Sequence, residues 1–568
     1  MRISKTILML IGIFILAFLL RLLTAYYVDV GSDEMIYQIL PWNIISAGRL
    51  STVEQAPVYF YLTDIGYKLM GGFTLVTGRL PSIFFGAFAV FAVFLIAREF
   101  HSKTAGLIAA FLWAVSGFAL RFSQEMDMTA FFLGLLSSFF FLRYLKGKQK
   151  QLYWSAVFLA VAVLVKPIVL LLVPAYIIMM ILTRKETQKE EKRPVPWKII
   201  LLSLLLCVMV VMPVLTYNYL LHKEKGITDY YFSVLAGVGN NQIYQGQGAE
   251  AWQFSRLFAT IGYTFTNLLQ RDWLLLLAGI IGIPVLWKKE KKPALFFSVT
   301  IVSLLFLLGG KMAGATHFLW IPLVLSIFAG VGCCWLKEKY FHKLAWKHLM
   351  IGLMILAGIN IFFIQREVVQ LRHTSIAITL QDYAEHTIPN NAIVVLDPRI
   401  YRGIFAWAFH DQHYLEGTYF PKLTETLNQL SDPKESIPLY FVECGKGTNC
   451  GWKPEDFQRI YDFGEKLSGF FHEHTEKVGE IKAIDTFIIY RGSLPASKAV
   501  YEVIDRTHAH WYTPVGWKYL ENAVDNYEPT TGFDKLLNSL AFLILYLDVG
   551  IALLSPFVVF FLLGKPSD

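Results

Sequence analysis

Runs of about twenty apolar residues recur along most of this chain, and that is the length an α-helix needs to cross the hydrocarbon core of a bilayer. They predict an α-helical polytopic membrane protein with about twelve spans, near residues 6–27, 73–97, 103–121, 128–145, 152–166, 167–183, 199–221, 273–288, 293–310, 316–336, 348–366 and 536–563. Residues 58–70 suggest an additional short helix lying in the interface. Composition agrees with this. Of 568 residues, 55% are hydrophobic and only 17% charged, where a soluble domain carries about a quarter charged. The first run, "TILMLIGIFILAFLLRLLTAYY", is too long for a signal-peptide core and lacks a small-residue cleavage site, so a retained helix is expected.

The formal net charge of +8 has a topological origin. With the N-terminus in the cytoplasm, alternate connections read "REFHSK", "RYLKGKQKQ", "RKETQKEEKRPVPWK", "KKEKKP" and "KEKYFHKLAWKH". All are basic, as the positive-inside bias requires. No nucleic-acid partner is needed to explain the charge. The remaining connections then face outward: 28–72, 121–127, the turn at Lys166, 222–272, Lys311 to Thr316, and 367–535. A final span returns the C-terminus to the cytoplasm.

Three segments are expected: a multi-span membrane domain over 1–366, an external domain over 367–535, and a C-terminal span with a short tail over 536–568. In the external segment, "AIVVLDPR", "IPLYFVECG" and "AIDTFIIYRG" read as buried strands. "SIAITLQDYAEHTI", "FPKLTETLNQLSDP" and "EDFQRIYDFGEKLSGFFHEH" read as helices. The alternation suggests a small α/β layer, without a phosphate loop or nucleophile elbow, whose expected part is to restrict access rather than do chemistry. Cys444 and Cys450 would lie in an oxidising compartment and could pair. The loop stretch "GVGNNQIYQGQGAEAW" is either a connector or a polar loop that meets a substrate.

The outward polar residues carry the functional signal. Asp33 and Glu34 follow the first span in "GSDEMIY", where Ser32 or Asp33 would also serve as a helix cap. The next outward turn holds Arg121, Glu125 and Asp127. Lys166 is the one charge between residues 151 and 183, either snorkelling beside Pro167 or held for an anionic headgroup. Arg79 and His317 stand at the outer starts of later spans, and Arg21 lies inside the first span, where it could snorkel. Taken singly these are ordinary span-end charges. Together they gather carboxylates and cations at one membrane face, which suits a reaction on a membrane-embedded anionic lipid, with cations on phosphate and a carboxylate as base.

The order of these pieces resembles the GT-C superfamily of polyprenyl-phosphate-sugar glycosyltransferases. It is most similar to the branch holding protein O-mannosyltransferases, lipid A aminoarabinose transferase and lipopolysaccharide-core galacturonosyl transferases. The resemblance rests on "GSDEMIYQILPWNIISAGRLS", "TGRLPSIFFGAFAVFAVFLIAREF", "FSQEMDM", "LVKP" and "HFLWIPLVLSIFAG", in that order and sidedness, over about residues 7–335. The chain departs from the pattern in two places. It has Asp127-Met128-Thr129 where relatives usually carry Arg-x-Tyr, and His317 where several carry arginine or lysine. These departures leave the sugar and acceptor open.

The resemblance implies inverting transfer of a hexosyl or pentosyl group from a polyprenyl-phosphate donor to an envelope acceptor: lipid A or lipopolysaccharide, a glycan, or a protein hydroxyl. Asp33 would be the base and Glu34 its companion. Arg79, Lys166 and His317 would balance the leaving phosphate, with Tyr37, Glu125 and Asp127 around the substrate. Some relatives bind a divalent metal ion between external loops, and Glu54 and His222 could serve for one here. A transporter or flippase of lipid-linked sugars is the competing expectation, although repeated halves and midplane polar residues, its usual marks, are not evident in the sequence.

Overall fold

The computed structural model describes residues 5–28, 50, 57–71, 74–189, 197–226, 228, 252–311, 315–343, 345–372, 375–400, 408–409, 411–417, 420–421, 435–445, 450, 458–483, 485–501, 504 and 527–563. Asp33, Glu34, Tyr37 and Glu54 lie outside the described residues, as does most of "FPKLTETLNQLSDP". The chain divides into two compact units. One comprises Met1–Tyr26, Leu50–Arg366 and Tyr527–Asp568; the other comprises Tyr27–Arg49 and Glu367–Asn526.

The first unit is helical. Its helices are α1 (Lys5–Tyr27), α2 (Pro57–Met70), α3 (Leu75–Phe100), α4 (Lys103–Ala114), α5 (Gly117–Arg121), α6 (Asp127–Leu145), α7 (Gln151–Val165), α8 (Val173–Lys189), α9 (Trp197–Val210) and α10 (Met212–Lys225). They continue with α11 (Phe254–Lys289), α12 (Lys291–Gly309), α13 (Trp320–Lys339) and α14 (Trp346–Arg372), and α17 (Gly532–Leu563) closes the chain after the α/β unit. Among the described residues, eight are long and apolar enough to cross a membrane: α1, α3, α6, α11, α12, α13, α14 and α17. The count reaches nine when the pair α9 and α10, bent by 54°, is taken as one span; Pro213 in the first turn of α10 removes a backbone donor at the bend.

By length and composition these account for eight or nine of the about twelve expected spans. The other three expected spans are shorter apolar helices, Lys103–Ala114, Gln151–Val165 and Pro167–Thr183. Two of them stop for visible reasons. Helix α4 ends at Ala114, and Ser116 starts α5 by accepting from Ala119 N–H at 3.2 Å. Helix α7 ends at Lys166, which is extended (φ −157°, ψ 123°) before Pro167, the conformation a following proline favours.

Packing sorts the spans. The apolar windows of α3, α6 and α13 are 89% buried, whereas those of α1 and α14 are 17% buried. The former therefore form the centre of the bundle, and α1 exposes Leu8, Leu19 and Leu23 as a lipid-facing helix would. Trp113 and Trp320 are fully buried, and their indole N–H groups are paired, with Gly86 O and Thr300 Oγ1 respectively, both at 2.9 Å.

The second unit is a five-stranded sheet in the order β2-β1-β3-β5-β4. Its strands are β1 (Ile393–Leu396), β2 (His413–Glu416), β3 (Glu435–Cys444), β4 (Glu476–Lys482) and β5 (Thr486–Ala496), with helices α15 (Ile376–Thr387) and α16 (Gln458–His474). Strand β1 lies parallel to β2 and β3, while β5 runs antiparallel to β3 and β4. All four residues of β1 are buried, as expected of a parallel strand covered on both faces. Phe471 of α16 stacks on Phe441 at 4.2 Å over a core that includes Ile393, Val395 and Leu439.

Strands β2 ("HYLE") and β4 ("EKVGEIK") were not expected, because neither contains an apolar run; β4 is a mostly exposed edge strand. Cys444 and Cys450 form a disulfide, with Cα atoms 5.9 Å apart.

Candidate active site

Asp127 is the first residue of α6 and is fully buried. Its carboxylate accepts from Lys166 Nζ through one oxygen and lies 3.2 Å from His317 Nδ1 through the other. These three residues come from separate pieces of chain. Lys166 is placed by the break between α7 and the 3-10 turn Pro167–Leu172, and His317 by the 3-10 turn Ala315–Phe318 ahead of α13. The lysine is buried too, while the imidazole is partly exposed, with 23% of its side chain open. A buried carboxylate with two cationic or potentially cationic partners is electrostatically compensated, and the imidazole is its accessible member.

Glu125 and Gln124 lie buried in the turn before Asp127, with Gln124 Nε2 3.4 Å from Glu125 Oε1. Arg79 is fully buried and donates to the carbonyl of Ala25 near the end of α1. His222 is an exposed residue of α10, and no group of three metal-ligating residues occurs among the described residues. The structure therefore brings Asp127, Lys166 and His317 together, and places Arg79 against the last turn of α1.

Arg21 does not snorkel. It is fully buried, its guanidinium donating to Ala17 O at 3.2 Å, Trp113 O at 3.2 Å and Ala114 O at 3.3 Å. The last two are carbonyls at the C-terminus of α4, which no residue within that helix can satisfy. Gly86 gives the arginine room: a Cβ there would stand 3.1 Å from Arg21 Nε.

Several buried acids escaped the sequence reading, Asp272 and Asp548 among them. Asp272 interrupts α11 with non-helical φ −143°, ψ 34° and accepts from Ser116 Oγ (2.8 Å), Gly117 N–H (2.8 Å) and Phe118 N–H (2.9 Å). Asp548 lies buried within α17, and its Oδ2 has no hydrogen-bond partner among the described residues. The signal for both was available, a lone carboxylate in or beside an apolar segment.

A family model described as dolichyl-phosphate-mannose-protein mannosyltransferase matches residues 54–217, the stretch that holds Arg79, Glu125, Asp127 and Lys166. Among solved structures, ArnT from Cupriavidus metallidurans bound to undecaprenyl phosphate is 12% identical at a TM-score of 0.58, over 86% of this chain and 98% of that one. The chain has the GT-C fold. The apo state of the same ArnT matches at 0.53, with 12% identity over 83% of this chain and 95% of that one. An oligosaccharyltransferase from Archaeoglobus fulgidus, in complex with Zn and sulfate, is more distant: TM-score 0.44 and 15% identity, over 86% and 73% of the two chains. No curated protein matches by sequence. In this chain the GT-C fold brings Asp127, Lys166 and His317 together at helix ends.

Proposed function

We propose that this chain is a membrane glycosyltransferase that takes a sugar from a polyprenyl-phosphate donor and passes it to a hydroxyl of an envelope acceptor on the outer face of the membrane. The observation that carries the reading is the Asp127–Lys166–His317 cluster within a GT-C bundle. A lysine buried between apolar helices is rare and functional by default, and here it is fixed by a carboxylate beside a partly open imidazole. The ArnT structure that the fold matches holds undecaprenyl phosphate, which supports a lipid-phosphate donor for this chain. Its tail would stay in the bilayer, so no nucleotide-binding domain is needed.

Chemistry follows from charge. As the glycosidic C–O bond breaks, negative charge grows on the phosphate, and Lys166 and His317 stand ready to receive it. Asp33, on the segment that follows α1, takes the proton of the attacking hydroxyl, and Glu34 orients the acceptor. Inversion follows from attack opposite the leaving phosphate. Arg79, buried and donating to Ala25 O near the end of α1 from which that segment departs, adds a third cation to those that balance the phosphate. With about twelve crossings and the basic connections inside, both termini would lie in the cytoplasm.

Turnover by purified protein in detergent, with a polyprenyl-phosphate sugar and no gradient, separates this reading from a transporter. Asp33→Asn should lower kcat at least about a hundredfold while donor binding persists, the range a positioned base supplies. Lys166→Met should raise donor KM or abolish turnover. Wild-type protein that moves lipid-linked sugar between compartments yet never cleaves it would overturn the proposal.

A further inference from the structure

The stretch expected as one span over 103–121 is two half-helices, and each broken end meets a buried charge from another span. Arg21 takes the carbonyls that α4 leaves at its C-terminus. Asp272 takes the N–H groups that α5 offers at its N-terminus. This is the order of charge that helix dipoles favour, cation at the C-terminus and anion at the N-terminus.

The Asp272 end is interlocked more closely. Asp272 can aim its carboxylate at α5 because it leaves helical geometry itself, while α11 continues on both sides. The carbonyl of Arg271 accepts from Asn360 Nδ2 of α14 at 2.5 Å. Gly117 packs directly on this break: a Cβ there would lie 2.7 Å from Arg271 O and 2.2 Å from Ile364 Cδ1. Nothing larger than glycine fits without moving backbone. Three helices therefore fix one point.

That point is mechanically continuous with the candidate site. The backbone ladder runs from Leu120 N–H to Ser116 O, Phe122 to Phe118, Ser123 to Leu120, Glu125 to Phe122, Met128 to Glu125 and Ala130 to Met126. Asp272 holds one end of this run; the other end presents Glu125 and Asp127.

We propose that Asp272 is a positioning residue for the transferase site: by capping α5 it sets the turn that carries Glu125 and Asp127, and through Asp127 the cations Lys166 and His317. The inference rests on reading that cluster as the donor-phosphate site. A carboxylate is required because three donors converge on two oxygens. Asparagine keeps one acceptor oxygen and turns an NH2 group toward a donor.

The test uses the full-length protein in detergent with Asp272→Asn and Ser116→Ala, the latter removing both the hydroxyl donor to Asp272 and the acceptor that caps Ala119 N–H. Three quantities are read: amide exchange over 117–130 against 104–113, the Kd for a polyprenyl monophosphate, and the melting midpoint. In Asp272→Asn, exchange over 117–130 should speed up and Kd should rise, each about tenfold, the equivalent of one lost hydrogen bond to a charged group. Exchange over 104–113 should stay at the wild-type rate. Ser116→Ala should act in the same direction with a smaller effect, and should add little to Asp272→Asn.

A folded Asp272→Asn protein with wild-type Kd, or with exchange raised equally in both halves, would overturn the proposal, since a merely structural cap leaves the affinity for the lipid unchanged. If Asp272→Asn does not yield folded protein, Ser116→Ala decides by the same readouts. If wild-type protein binds no polyprenyl monophosphate, the donor reading is what fails, and the exchange contrast still decides whether Asp272 holds the turn.

Discussion

The helical unit and the α/β unit both bury charge, and the fully buried carboxylates Asp127 and Asp397 find their charged partners at very different distances along the chain. In the α/β unit, Asp397 follows β1 and is paired with Arg399 two residues on, the guanidinium at 2.8–2.9 Å through Nε and the backbone N–H of Arg399 at 2.9 Å. Cys444 N–H and Ser468 Oγ complete the set. Burial alone would lower the pKa of Arg399, but hydrogen bonds to Asp397 and the charges of Asp397 and Glu443 carry it above its ordinary value. In the helical unit the partners are remote. Asp127 meets Lys166 and His317 at separations of 39 and 190 residues, and Asp272 meets Gly117 at 155.

A water-facing domain can let an unpaired side chain turn outward. A bundle in lipid offers no such retreat, so its charges are retained where another helix presents the opposite charge or an unpaired helix end. Remote pairing makes the bundle sensitive to single losses.

The largest expected effect tests that sensitivity. Asp127→Ala leaves Lys166 buried without its carboxylate, a loss of about 3–5 kcal/mol when one member of a buried pair is removed. It should appear as faster amide exchange in α6 and α7 of the intact chain, together with lost turnover. A variant as well protected as wild type would erase the contrast between the units.

Next, replacing Cys444 and Cys450 by serine opens a short loop and should destabilise β3 by about 2 kcal/mol, read as exchange at the β1–β3 ladder. Asp397→Asn should cost about 1.5–3 kcal/mol in the same amides, the range for hydrogen bonds to a charged group, and toward the low end because Glu443 Oε1 remains 3.6 Å from Arg399. A loss as large as that from Asp127→Ala would show that sequence distance between partners is irrelevant. Smallest of all, Lys477→Ala removes an exposed partner of Glu480 on the edge strand and should leave exchange and melting unchanged.

The same contrast explains what could be read without coordinates. Spans were legible because twenty apolar residues are a local signal. Strands β1, β3 and β5 were legible because each is a local apolar run. Strand β4 was not, being an edge that hydrogen-bonds only to β5 and needs no apolar pattern. The break at Ser116 was hidden because the group that stabilises it, Asp272, lies far along the chain. Arg21 was expected to snorkel because its acceptors, the carbonyls of Trp113 and Ala114, belong to another helix. Asp127, Lys166 and His317 were each singled out as outward polar residues, yet nothing local says that the carboxylate joins the two cations. Asp33, Glu34, Tyr37 and Glu54 lie outside the described residues.

The arginine of α1 has a consequence for how the protein is made. Its acceptors at Trp113 and Ala114 lie 92 and 93 residues downstream, so during synthesis the first helix leaves the ribosome well before they exist. On insertion scales an arginine costs about 2.5–3.5 kcal/mol at the centre of a helix and less toward the end, where Arg21 stands. The first helix therefore enters the bilayer on its apolar residues, and Arg21 gains its partners on α4 only when that helix arrives. A chain arrested before residue 113 should hold α1 loosely, extractable or still beside the insertion machinery, and one arrested after α4 has emerged should hold it fast.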